Sequence, residues 1–60
     1  MHHYRIYFLD GRNRITGVEE VDCDTDEQAL DLARHFLGTY LAVEVWTGTR
    51  WVDHLLKRAA

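Results

Sequence analysis

This chain of 60 residues contains no proline, a single cysteine and four glycines. It has no proline-rich linker, no internal repeat and no low-complexity segment. With Cys23 alone, no internal disulfide can form, and a lone thiol fits a reducing compartment. No apolar run approaches the roughly 20 residues that span a bilayer. Met1 is followed by His2, His3 and Tyr4 rather than by a basic segment and an apolar one, so no secretory signal is expected and the cytoplasm is the expected location. The formal charge of −3 weighs against general phosphate-backbone binding.

Catalytic patterns are missing as well. There is no glycine-rich phosphate loop, no Ser-His-Asp pattern and no pair of carboxylates with an evident pocket. A single domain of this size has little volume for a deep cleft. No enzymatic activity and no cofactor are expected. So short a chain buries only about 60% of its unfolded surface. Its hydrophobic content of 47% nonetheless suffices for a core and argues against disorder.

What is present begins with one amphipathic helix, TDEQALDLARHFLG, from Thr25 to Gly38. Thr25 with Gln28 fits a capping box, in which each side chain bonds the other's backbone N–H. Asp26 and Glu27 in the first turn suit the helix dipole. At helical spacing Ala29, Leu30, Leu32, Ala33, Phe36 and Leu37 form one apolar stripe. Glu27, Gln28, Asp31, Arg34 and His35 fall opposite. Gly38 is placed for a left-handed cap.

The rest is strand pattern. Tyr4 to Leu9 alternates Tyr4, Ile6 and Phe8 with Arg5, Tyr7 and Leu9, apolar on both faces, which predicts a central strand. Asp10-Gly11-Arg12-Asn13 predicts a turn. Ile15 to Cys23 returns, with Gly17 as a candidate bulge and Glu19, Glu20 and Asp22 suiting an edge. Leu41 to Trp46 is a third strand, Thr47-Gly48-Thr49 a turn, and Arg50 to about Leu55 a fourth strand. Trp51, Val52, Leu55 and Leu56 also fit a short helix by spacing. Lys57-Arg58-Ala59-Ala60 is expected to fray. The predicted fold is α+β: a single domain of order ββαββ, its four-stranded antiparallel sheet ordered 2-1-3-4 with the helix on one face.

The runs YRIYFLD (Tyr4–Asp10), DCDTDEQALDLAR (Asp22–Arg34) and VEVWTGTRWV (Val43–Val52) resemble a group of short uncharacterised bacterial proteins. Shared features are an aromatic first strand, a Cys-x-Asp-Asp-like approach to the helix and a closing Glu-x-Trp-x-Gly-x-Arg hairpin. The resemblance implies an αβ fold and a cytoplasmic location. It brings no activity and no catalytic residue.

Asp22, Asp24 and Asp26 spell D-x-D-x-D, the opening of a calcium loop, but position six is Glu27 and position twelve is Ala33, so no calcium site is expected. Cys23 lacks a histidine base within reach, and His2, His3 and His54 lack zinc-ligand spacing, so no metal is expected. Cys23 is expected to be a small buried residue. Asp31 and His35 are spaced to pair on the helix surface. Seven of the ten acids fall between Glu19 and Asp31, either as solvated charges near the helix N-terminus or as an acidic docking patch.

Tryptophan carries the functional expectation. An even-length turn places Trp46 and Trp51 on one face of the closing hairpin, with Val43, Val45 and Val52 on the other. One helix covers only one sheet face. Covering the valines leaves Arg5, Tyr7, Leu9, Glu44, Trp46 and Trp51 as a candidate interaction face, whose partner would be a protein or a second copy in a homodimer. The alternatives are a C-terminal tail folded back over the tryptophans, tryptophans in the core, a homodimer through a sheet edge, a single-stranded nucleic-acid binder that stacks bases on the open sheet, and an antitoxin-like partner of a small toxin.

Overall fold

The computed structural model describes residues 1–57. Its elements are β1 (His2–Leu9), β2 (Ile15–Cys23), α1 (Asp26–Phe36), β3 (Ala42–Thr47) and β4 (Arg50–Leu56). The sheet order is β2-β1-β3-β4, and every neighbouring pair is antiparallel. The ββαββ order, the α+β class and the central position of β1 are as expected. The segment from Trp51 is strand throughout, and the short-helix alternative is wrong for it. Lys57 is tied down, its N–H donating to the Leu41 carbonyl at 2.8 Å. The fraying expected of Arg58, Ala59 and Ala60 concerns residues outside those described.

The core forms where β1 and β3 meet the helix. Tyr4, Ile6 and Phe8 alternate along β1, Val43 and Val45 along β3, and Ala29, Ala33 and Cys23 complete the buried set. Only alanines are fully buried on the helix, and small side chains let it lie close to the valines. Leu30, Phe36 and Leu37 pack around them, half-buried. Leu32, expected in the stripe, is 39% exposed. It lies about 100° from the centre of the buried face at helical geometry, beyond what the narrow sheet reaches. Phe8 stacks on Tyr40, with ring centroids 4.3 Å apart and planes within 5°, while Phe36 tilts against it at 4.9 Å.

The helix start is a variant of the expected box. Thr25 Oγ1 accepts from the Gln28 N–H, but Gln28 Oε1 accepts from the Asp24 N–H, one residue upstream of Thr25. The far end is not the glycine cap. Leu37 ends the helix in right-handed geometry, and the N–H groups of Thr39 and Tyr40 both return to the Phe36 carbonyl. Positive φ occurs instead at Asn13 and Gly48. Asp10 Oδ1 accepts from the Arg12 and Arg14 N–H groups, bracing the first hairpin around Asn13. Gly48 holds the first position of the two-residue loop between Thr47 and Arg50, where a tight hairpin requires φ > 0.

Two bulges set the faces. On β2 the register passes from Phe8↔Gly17 to Leu9↔Ile15, leaving Thr16 as the extra residue, its hydroxyl donating to the Phe8 carbonyl at 3.2 Å. The expected bulge therefore falls beside Gly17. On β4 the register passes from Val45↔Asp53 to Trp46↔Trp51, leaving Val52 extra and packed on the core.

Candidate interaction face

The face opposite the helix is covered by no described element. Cross-strand pairing places Arg5, Tyr7 and Leu9 of β1 beside Trp46, Glu44 and Ala42 of β3. Trp51 pairs with Trp46, and His54 with Glu44. All six residues of the expected face thus share one surface. Their exposure is uneven. Trp51 is 51% exposed, Tyr7 and Trp46 are half-buried, and Leu9 retains 5%. Leu9 shows how apolar this end of the face is, since it is buried without help from the helix.

Sequence spacing missed part of the face. Ile15 and Val18 differ in parity along the chain, yet the Thr16 bulge puts both on the open side, opposite Leu9 and Tyr7. The Val52 bulge likewise brings His54 and Leu56 to the side that holds Trp51. Of the seven exposed large hydrophobics among the described residues, four (Ile15, Val18, Trp51 and Leu56) belong to this face. That concentration separates it from the scattered exposed leucines of an ordinary surface. A shallow groove of about 310 Å³ runs along it, lined by Tyr7, Ile15, Glu44, Trp46 and Gly48.

Several polar groups on the face are paired with one another, while His54 Nε2 is buried without a hydrogen-bond partner. The Trp46 indole N–H donates to Glu44 Oε1 at 2.7 Å, and Glu44 Oε2 lies 3.5 Å from His54 Nδ1. Toward the β1 N-terminus, His3 meets Asp22 Oδ1 through Nδ1 and Glu20 Oε1 through Nε2, each at 2.9 Å. An imidazole donates from both nitrogens only when protonated. The bond to Glu20, then that to Asp22, raises the His3 pKa, and the bond from His3 lowers that of Glu20. Arg5 Nε approaches Glu20 at 3.4 Å.

The D-x-D-x-D residues diverge rather than converge. Asp22 serves His3. Asp26 accepts from the Tyr4 hydroxyl at 2.6 Å and from both Arg50 terminal nitrogens at 2.9 and 3.0 Å. The Arg50 fork and the Tyr4 hydroxyl hold the Asp26 carboxyl at a pKa of about 2. The cluster ties the first turn of the helix to β1 and β4. Asp31 bonds Arg34 rather than the expected His35. Glu20, Asp22, Asp26 and Asp31, four of the seven acids in the run, are thus engaged within the fold. Among the described residues no three His, Cys, Asp or Glu side chains are grouped to hold a metal ion. Cys23 is buried, and loss of water pushes its thiol pKa up, the opposite of an activated nucleophile.

Among the described residues no helix is long and apolar enough to cross a membrane. No protein-family model, no curated protein and no solved structure matches the chain.

Proposed function

We propose that this chain is a small cytoplasmic protein-interaction module, and that its working surface is the open aromatic sheet face. The reading rests on one observation above the others. Trp51 is half exposed beside Trp46, on a broad face where the other exposed large hydrophobics of the sheet also lie. Aromatic anchors in such a patch tend to dominate interface energy. The module works by burying this patch against a protein surface, and a second copy is the first partner to test.

The sheet edges support the face over an edge. Glu19, Glu20 and Asp22 put like charges along the free edge strand β2, and the Val52 bulge interrupts β4. Both devices oppose strand addition. Nucleic-acid stacking fares less well, because Glu20, Asp22 and Glu44 share the face with Arg5. No observation favours an antitoxin role.

Sedimentation of wild type, Trp46→Ala and Trp51→Ala, with denaturant melts beside it, tests the reading. Expected is a wild-type species of twice the 7.1 kDa chain mass, lost in Trp51→Ala while that variant's fold persists. A wild type that stays monomeric at millimolar concentration, with both variants unfolded, would make the tryptophans mere fold residues and end the proposal.

A further inference from the structure

The cross-strand register arranges the open face in rows that run from β2 to β4. One end row is Ile15, Leu9, Ala42 and Leu56. The next is Val18, Tyr7, Glu44 and His54, and the third is Glu20, Arg5, Trp46 and Trp51. Beyond them come Asp22 and His3. The face therefore grades from apolar to charged along the strands.

Most soluble oligomers are closed and symmetric, and a two-fold contact is made by the same patch on both copies. When two sheets pack face to face with aligned strands, the two-fold axis lies in the contact plane, either across the strands or along them. An axis across the strands lays each strand on its own copy in reverse. The apolar row then meets Asp22 and His3, which sets a solvated charged pair against apolar side chains and desolvates it. An axis along the strands lays each row on itself, with β2 over β4 and β1 over β3. The apolar row then meets the apolar row. Arg5 of one copy lies over Trp46 of the other, where a guanidinium is attracted to an indole face. Arg5 keeps its own Glu20 at 3.4 Å, and Glu44 keeps the Trp46 N–H at 2.7 Å, so neither charge is stranded by the contact.

Size fits as well. The broad side of the molecule measures 33 × 21 Å, which is of the order of the roughly 800 Å² per partner of a standard interface, and the rows occupy part of it.

We infer that two copies pack open face to open face about a two-fold axis parallel to the strands, pairing Ile15 of each with Leu56 of the other and Arg5 with Trp46. This rests on the reading of the open face as the contact surface and adds the partner and its orientation.

Nuclear Overhauser spectra of an equimolar mixture of isotope-labelled and unlabelled full chain at millimolar concentration test it. Ile15 and Leu56 lie on opposite outer strands, about three strand spacings or 14 Å apart within one copy. A methyl cross-peak between them can only be intermolecular. Expected are that cross-peak and one between the Val18 methyls and the His54 ring. Leu56→Asp should weaken association at least about tenfold with an unchanged monomer spectrum, since Leu56 is 69% exposed. A dimer whose intermolecular peaks join Ile15 to the His3 end of the sheet overturns the orientation and leaves the open-face reading standing. A dimer held through a strand edge, or a monomer throughout, overturns both.

Discussion

Asp26 shows how much one residue coordinates here. It is the first residue of the helix, its charge suits the dipole, and its carboxylate also accepts from Tyr4 and Arg50. Its pKa is about 2 in the fold against an ordinary 3.8. Between those values the unfolded chain binds a proton more readily than the folded one. The stability it contributes is therefore complete above the ordinary value and is lost as pH falls through the folded one. Asp26→Asn should be less stable than wild type near neutral pH, and the gap should close toward about pH 2. Urea midpoints measured across that range check this, and a gap constant with pH would show that the carboxylate charge is not what holds the helix start. The role was not legible in the sequence. Asp26 is identifiable there only as a first-turn acid, because Arg50 lies 24 positions away.

At the scale of elements, the glycines separate what local pattern says from what tertiary contacts impose. Gly38 reads as a left-handed helix cap, yet the chain turns there without positive φ, closed by the Thr39 and Tyr40 N–H bonds to Phe36. The stacking of Tyr40 on Phe8 accounts for the departure, since it draws the chain back toward the core directly after the helix. Gly48 is the glycine whose conformation is demanded, at φ +58. Gly48→Ala should destabilise by about 1–2 kcal/mol, whereas Gly38→Ala should be neutral or stabilise by about 0.4–1 kcal/mol, since a Cβ there meets nothing closer than 3.8 Å. Equilibrium denaturation of the two variants decides it, and a costly Gly38→Ala would restore the cap. At the other end of the helix, Thr25→Ala should cost about 1 kcal/mol, because that cap forms as the sequence indicates.

At the scale of the molecule, one helix against four strands leaves one face of the sheet without cover among the described residues. If a second copy supplies it, association and folding are linked. The thermal midpoint of wild type should then rise with protein concentration, while that of Trp51→Ala should be flat. Calorimetry over a hundredfold concentration range measures the difference, and a flat wild type would contradict self-association.

The sequence by itself determined the element order, the central place of β1 and the division of the tryptophans from the valines. The first two follow from period-two or period-3.6 spacing within segments, and the third from that spacing carried across the even-length turn between β3 and β4. Only the tertiary structure decided that Ile15, Val18, His54 and Leu56 join the open face, which residue partners Asp26 and how the helix ends. The bulges at Thr16 and Val52 reverse parity partway along β2 and β4; Gly17 marks the first in the sequence, and no local signal marks the second. The Asp26–Arg50 and Phe8–Tyr40 contacts join segments remote in the chain. Such contacts are chosen by which side chains the closed sheet and docked helix bring within reach, a quantity that no single segment carries.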